Sequence, residues 1–222
     1  VSAPISGPKA QHINLKMIKT KNQTALITAT LDCIAEIGFA NATVSEIIKR
    51  AGLSRGMIHL HFKNKEGLVL AASHYASQEY HERLQHFLQQ AQSSPQAQIA
   101  AIIKHDLNTE VLNAKSVRVW YELRGASCFH PELARYSDTR DERLRQLFLN
   151  AFRSISESNR YTNQELLTED YTVVCLAMME GMWNDYLMHQ KSFQRDTAER
   201  AIFRVLSSLF PQHFDLYGAL DG

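Results

Sequence analysis

The sequence predicts an all-α protein, on three observations. Apolar residues recur at intervals of three and four along most of its 222 residues, residues that cap or stop helices punctuate those runs, and no stretch alternates apolar and polar with the period of a strand. The composition agrees. With 45% hydrophobic and 21% charged residues, five Pro and nine Gly, the chain suits a globular core and is neither disordered nor collagen-like.

Residues 1–20 contain two Pro and one Gly without a long apolar stretch. They are expected to form a flexible basic arm rather than a secretory signal. A first helix is expected over residues 21–37, where Leu26, Ile27, Thr30, Leu31, Ile34 and Ile37 keep helical spacing and Gly38 offers a stop. Thr43 with Glu46 makes a capping box for a second helix of about eight residues ending at Ala51, and Gly52 suits its C-terminal turn. Ser54 can cap a third short helix from Arg55 to Leu60 or His61. Asn64 caps a longer one over residues 65–90, with Leu68, Ala71, Ala72, Tyr75, Leu84 and Leu88 for packing. Residues 92–98 read as a connection. Further helices are expected over 99–112, 115–125, 131–156, 165–188 and 195–209, and residues 211–222 as a C-terminal tail. The organisation is then an arm, a head at residues 21–67, and a helical body at 68–210.

Charge separates head from body. The formal net charge is +1, but through Gly67 nine basic and four acidic side chains give +5, and the remaining 15 basic and 19 acidic give −4. A basic head on an acidic body is the asymmetry of a protein that meets a polyanion with one end. No segment approaches 18 uninterrupted apolar residues, which argues against membrane spanning and makes the cytoplasm the expected location. Cys33, Cys128 and Cys175 have no metal-ligand spacing, lie among apolar neighbours and are expected to be buried. His59 and His61, two residues apart, do not share a helix face and hold no metal. His74, His81 and His86 are expected along one exposed helix at spacings that define no compact site. With no nucleophile elbow, phosphate loop or metal-spaced set, nothing points to an enzyme or to a cofactor.

Two short helices joined by a tight glycine turn form a helix-turn-helix, whose second helix can enter a DNA major groove. Lys49, Arg50, Arg55, Lys63 and Lys65 surround it and would fix position on a phosphate backbone without reading sequence. Thr43 and Ser54 cap helix N-termini, which can also bind phosphate. At the start of the third helix Arg55 is suited to guanine and Met57 to an apolar contact, and Gly56 allows close approach.

The stretch TVSEIIKRAGLSRGMIHLHFKNKEGL, residues 43–68, resembles the N-terminal DNA-binding region of the TetR family of transcriptional regulators, strongly over residues 21–70 and more loosely beyond. The resemblance implies a homodimer on a palindromic operator in double-stranded DNA, with the last two helices, 165–188 and 195–209, at the subunit contact. It places His59 where the family has a phosphate-contacting tyrosine, Phe62 at a core anchor and Lys65 near DNA; His61 belongs to the same motif, and Leu60 departs from it. An imidazole at position 59 can donate to phosphate and makes the contact sensitive to pH.

Within the family the chain is similar to the choline-responsive BetI-like subgroup, through Trp120, Leu123, Ala126, Ser127 and Pro131 and through Glu180, Gly181, Met182 and Trp183. That likeness implies a repressor of choline to glycine betaine metabolism with a small-molecule effector, choline or another quaternary ammonium compound. Indole faces attract a cation that cannot donate hydrogen bonds, and a carboxylate can balance it. Trp120, Tyr121, Trp183 and Tyr186 are the cage candidates, and Glu180 or Asp185 the counter-charge. Arg124 stands where the subgroup has a second Trp and would favour an anion. A regulator sensing a different, anionic or aromatic, molecule and a DNA-architectural protein that senses nothing are the alternatives. The fourth helix is expected to join head to body.

Overall fold

The computed structural model describes residues 8–159 and 164–218, and every regular element among them is helical: α1 (Pro8–Ile37), α2 (Val44–Ala51), α3 (Arg55–Phe62), α4 (Lys65–Gln90), α5 (Pro95–Leu107), α6 (Ala114–Ser127), α7 (Pro131–Asn159), α8 (Gln164–His189), α9 (Arg195–Leu209) and α10 (Pro211–Gly218).

The head closes around Leu26, Ile34, Ile47, Ile58, Leu68 and Ala72, drawn from α1 to α4. Local chemistry sets its boundaries. The Thr43 hydroxyl accepts from the Glu46 N–H at 3.3 Å, and Gly52 ends α2 in the left-handed region at φ 64°. Asn64 accepts from the Gly67 N–H at 2.8 Å and starts α4. Glu36 at the end of α1 binds both guanidinium nitrogens of Arg50 on α2, and this hydrogen bonding holds the Glu36 carboxyl below the ordinary carboxylate range.

The body has its own core, in which Phe148, Phe152, Ile99, Ile102, Trp183, Ile202 and Phe203 come from α5, α7, α8 and α9. Helix α6 belongs to both. Its Val119 is buried in the head cluster, while its Val117 and Trp120 belong to the body.

Several expectations are corrected. The arm expected over residues 1–20 is helical from Pro8, because no Gly or Pro interrupts the chain between Lys9 and Ile37 and Pro is tolerated in a first turn. Helix α5 starts at Pro95 under a Ser94 cap and stops at Leu107, where Asn108 turns the chain by accepting from the Glu110 N–H at 2.9 Å. The tail expected from residue 211 is instead α10 as far as Gly218. Phe210 and Phe214 are fully buried there, with Phe210 4.5 Å from the Tyr171 ring and 5.6 Å from that of Phe152. Cys33 and Cys175 are buried, and burial pushes the Cys175 thiol up to about 12, but Cys128 is exposed. His81 is buried, not on an exposed row, with its Nδ1 2.7 Å from the Ser77 carbonyl oxygen. No helix among the described residues is long and apolar enough to cross a membrane.

Candidate nucleic-acid interface and effector cavity

On α3, Ile58 points into the head core and the opposite side is exposed. Arg55 with His59, and Gly56 with Leu60, are spaced one helical turn apart and share that exposed side. Thr43, Lys49, Ser54 and Lys63 are exposed around it. A side chain added at Gly56 would meet nothing nearer than the Ser54 hydroxyl at 3.8 Å. The fold therefore does not require glycine there.

Not every candidate stands on this face. Met57 is half-buried and packs against the head core. Both ring nitrogens of His61 are shielded from solvent, and its ring lies edge-on to Phe62 at 6.1 Å. Ser54 occupies the N-cap position of α3, but its side chain makes no capping hydrogen bond, which corrects the expected cap. Arg50, counted among the cations around the reading unit, is committed to Glu36. Lys65 lies over the Phe39 ring at 5.8 Å. His59 Nδ1 sits 2.9 Å from the Lys63 carbonyl oxygen; since a carbonyl only accepts, that nitrogen carries hydrogen. The neutral ring then has an acceptor left at Nε2 and donates to a phosphate only when doubly protonated. Leu60, the departure from the family motif, is 67% exposed on this face. Its apolar tip on an otherwise polar face suits a thymine methyl.

Arg55 forms no ion pair among the described residues and projects from the first turn of α3. Arg55→Ala is expected to relax base preference at one operator position by about 1–3 kcal/mol, seen as a flattened column in a binding-site selection. An unchanged base profile would remove Arg55 from readout.

In the body, a cavity of about 320 Å³ opens between α4 and α6, with Tyr75, Glu79 and Tyr80 on one wall, Trp120 and Arg124 on another, and Trp183 of α8 at the back. The two indoles meet edge to face at 6.4 Å. Burial, then Glu79 beside it, raises the Tyr75 phenol, so it stays neutral. A second cavity, of about 460 Å³, adjoins the first at Arg124 and Trp183 and is also lined by Asp106, Asp141 and Glu180. Arg124 stands between the two. Its guanidinium lies 5.4 Å from the centre of the Trp120 ring, 3.5 Å from Asp141 and 3.7 Å from Glu180.

The other cage candidates lie elsewhere. Tyr121 donates to the Glu180 carbonyl oxygen at 3.4 Å and lines neither cavity. Tyr186 packs on Phe193 at 5.3 Å, with Arg195 over its other side. Asp185 pairs with His189 at 2.8 Å. Tyr75, expected only to pack, reaches the cavity from α4 together with Glu79 and Tyr80, because nothing local distinguishes a lining residue from a packing one. Among the described residues no group of three side chains could hold a metal ion.

Helix α6 also faces the head. Lys115 pairs with Asp32 of α1 at 2.5 Å, and Glu122 accepts from the Phe39 N–H at 2.7 Å. The joining role expected of α4 is thus shared with α6.

Comparison with known proteins adds three findings. The family profile described as bacterial regulatory proteins, tetR family, matches residues 26–72, and that described as BetI-type transcriptional repressor, C-terminal, matches residues 95–211. The chain is 32% identical over 168 residues to the HTH-type transcriptional regulator BetI of Stenotrophomonas maltophilia, covering 76% of this chain and 82% of that protein. Its fold is similar to that of a Pseudomonas aeruginosa protein crystallised as a candidate transcriptional regulator (TM-score 0.75, 21% identity, 88% of this chain and 93% of that one). It is also similar to a Saccharomonospora viridis protein crystallised in complex with choline (TM-score 0.74, 16% identity, 85% and 96%).

Proposed function

Because the chain belongs to the TetR family of bacterial transcriptional regulators, we propose that it is a repressor that binds a palindromic operator as a homodimer and leaves it when a small organic cation of the choline class enters the cavity beside α6. The genes it controls would then be those that consume choline and form glycine betaine. Residues exposed on α3 and its flanks (Arg55, Gly56, His59, Leu60) read the major groove, while Thr43, Lys49, Ser54, Lys63 and Lys65 hold phosphates. Val173 and Val174 of α8 and Val205 and Leu209 of α9 are exposed aliphatics on the two helices that would form the subunit contact, a use that removes them from water.

The observation that carries the cationic effector is the seat of Arg124. Where two indoles wall the cavity, a cation already lies over one of them between two carboxylates. An environment that holds a guanidinium there holds other weakly hydrated cations by the same forces. Calorimetry with choline, glycine betaine and an anionic metabolite tests it. Choline is expected to bind, and Trp120→Ala to weaken it by about tenfold, between the worth of an exposed and of a desolvated cation–π contact. Binding of the anion alone would transfer the assignment to the anion-sensing alternative. Selection of genomic DNA with the purified protein then identifies the operator and the regulated genes.

A further inference from the structure

Arg124 lines both cavities and links three helices. It rises from α6, packs over Trp120 of the same helix one turn back, and reaches Asp141 on α7 and Glu180 on α8. The pattern is that of a bound ligand. A planar, weakly hydrated cation lies against an indole face, carboxylates balance it, and the second indole, of buried Trp183, stands edge-on behind. Arg124, Asp141 and Glu180 are each nearly half exposed, whereas Trp183 is buried. The guanidinium thus sits at the solvent side of the site and the indoles behind it.

We propose that Arg124 is a built-in occupant of the effector site, a tethered cation that an incoming organic cation must displace from the Trp120 face and from Asp141 and Glu180. The proposal rests on the reading that the cavity takes an organic cation, and adds how that cation gains entry and what its binding breaks. Three consequences follow. Apparent affinity is reduced by the fraction of time Arg124 holds the seat, which sets a high concentration threshold for response. The ligand class is narrowed to quaternary ammonium or guanidinium-like cations, since the seat is shaped for a weakly hydrated charge rather than a compact, strongly hydrated ammonium. Displacement also breaks the ion pairs from α6 to α7 and α8, and so loosens the helix that Lys115 and Glu122 attach to the head.

A purely structural clamp makes the opposite forecast, because removing a clamp loosens the cavity and weakens any ligand. The test is titration calorimetry of the full chain with tetramethylammonium and with choline, for wild type, Arg124→Met and Arg124→Lys, with thermal melting of each. Arg124→Met empties the seat while keeping an unbranched apolar side chain, and is expected to bind tetramethylammonium about tenfold more tightly than wild type, the equivalent of the ~1.4 kcal/mol a cation–π seat is worth. Arg124→Lys tethers a compact, strongly hydrated ammonium that fills the seat less well, and is expected to bind tetramethylammonium with an affinity between those of wild type and Arg124→Met. Adding Trp120→Ala to Arg124→Met should abolish the gain. If Arg124→Met fails to melt cooperatively, Arg124→Gln replaces it with the same expectation. Equal or weaker binding by the charge-free variants overturns the tethered occupant while leaving the cationic reading standing, as does a gain that survives Trp120→Ala. No binding of either cation by any variant overturns both.

Discussion

Gly67→Ala is expected to abolish operator binding and lower the melting temperature of the head. The methyl group would stand 2.1 Å from the Phe62 carbonyl oxygen and 3.3 Å from the Asn64 side-chain oxygen. The first of these is backbone at the end of α3, so no rotamer change relieves the clash. Either α3 moves away from α4 or the turn between them is rebuilt. That turn has little freedom, because Lys63 already adopts φ 71°, unusual for a residue with a Cβ, and Asn64 must keep its side chain over the Gly67 N–H to cap α4. Overpacking of this kind costs up to about 3 kcal/mol, against up to about 1 kcal/mol gained from replacing glycine by alanine in a helix. The net loss falls on the element that would read DNA.

Gly56→Ala is the matched control. The same methyl finds open space within the chain, so the melt should hold or improve while operator affinity falls if α3 meets bases closely. Circular dichroism melts and fluorescence anisotropy on operator DNA check both variants. A Gly67→Ala protein with wild-type melting and affinity would show that the α3–α4 junction tolerates the rearrangement.

These two glycines also mark where sequence reading stops. The ends of α2 and the start of α4 were legible because their determinants are local: the Thr43 hydroxyl, the left-handed Gly52 and the Asn64 cap each act within four residues. Gly67 looked like any glycine near a helix start, and only the path of the chain through Lys63 shows what its hydrogen atom is for. The tail after residue 210 was misjudged for a similar reason. Phe210 is a core residue because Phe152 and Tyr171, far away in sequence, meet its ring, and Phe214 packs on Phe210 in turn. In the cavity, Trp120 and Trp183 were legible as aromatic residues on two helices, but their meeting spans more than sixty positions. Tyr186 and Asp185, which looked equally apt, turn to Phe193, Arg195 and His189 instead. Helical spacing tells which residues share a face, not which neighbour that face meets.

The attachment of α6 to the head leads to the second large effect. Lys115, Val119 and Glu122 recur at intervals of four and three and form one face of the helix, while Trp120 and Arg124, four apart, form another. The first face is fixed to α1 and its end: Lys115 to Asp32, Val119 in the head core, Glu122 to the Phe39 N–H beside Gly38, whose φ of 82° sets the turn. The second lines the cavity proposed for the effector, which Lys115 and Val119 of the first also border. A helix is stiff over this length, so a ligand that shifts the cavity face must also shift the two polar contacts to α1. If those contacts carry the coupling, the double variant Asp32→Ala with Glu122→Ala, which removes both contacts without altering the cavity lining, should bind operator and effector each within about threefold of wild type. It should lose most of the factor by which effector weakens operator binding, a factor typically about 5–150 for allosteric pairs. Glu122→Gln keeps an acceptor for the Phe39 N–H and should retain most of it. Linkage supplies a second reading of the same quantity: operator DNA should weaken effector binding to wild type by the same factor and leave the double variant's effector affinity unchanged. Anisotropy titrations of operator at zero and saturating choline, paired with calorimetry of choline at zero and saturating operator, measure both sides of the cycle. Undiminished coupling in the double variant would move the route to α4, which packs on α1 and α3 and is joined to the body by packing and by the Tyr80–Asp106 and Arg83–Glu110 contacts.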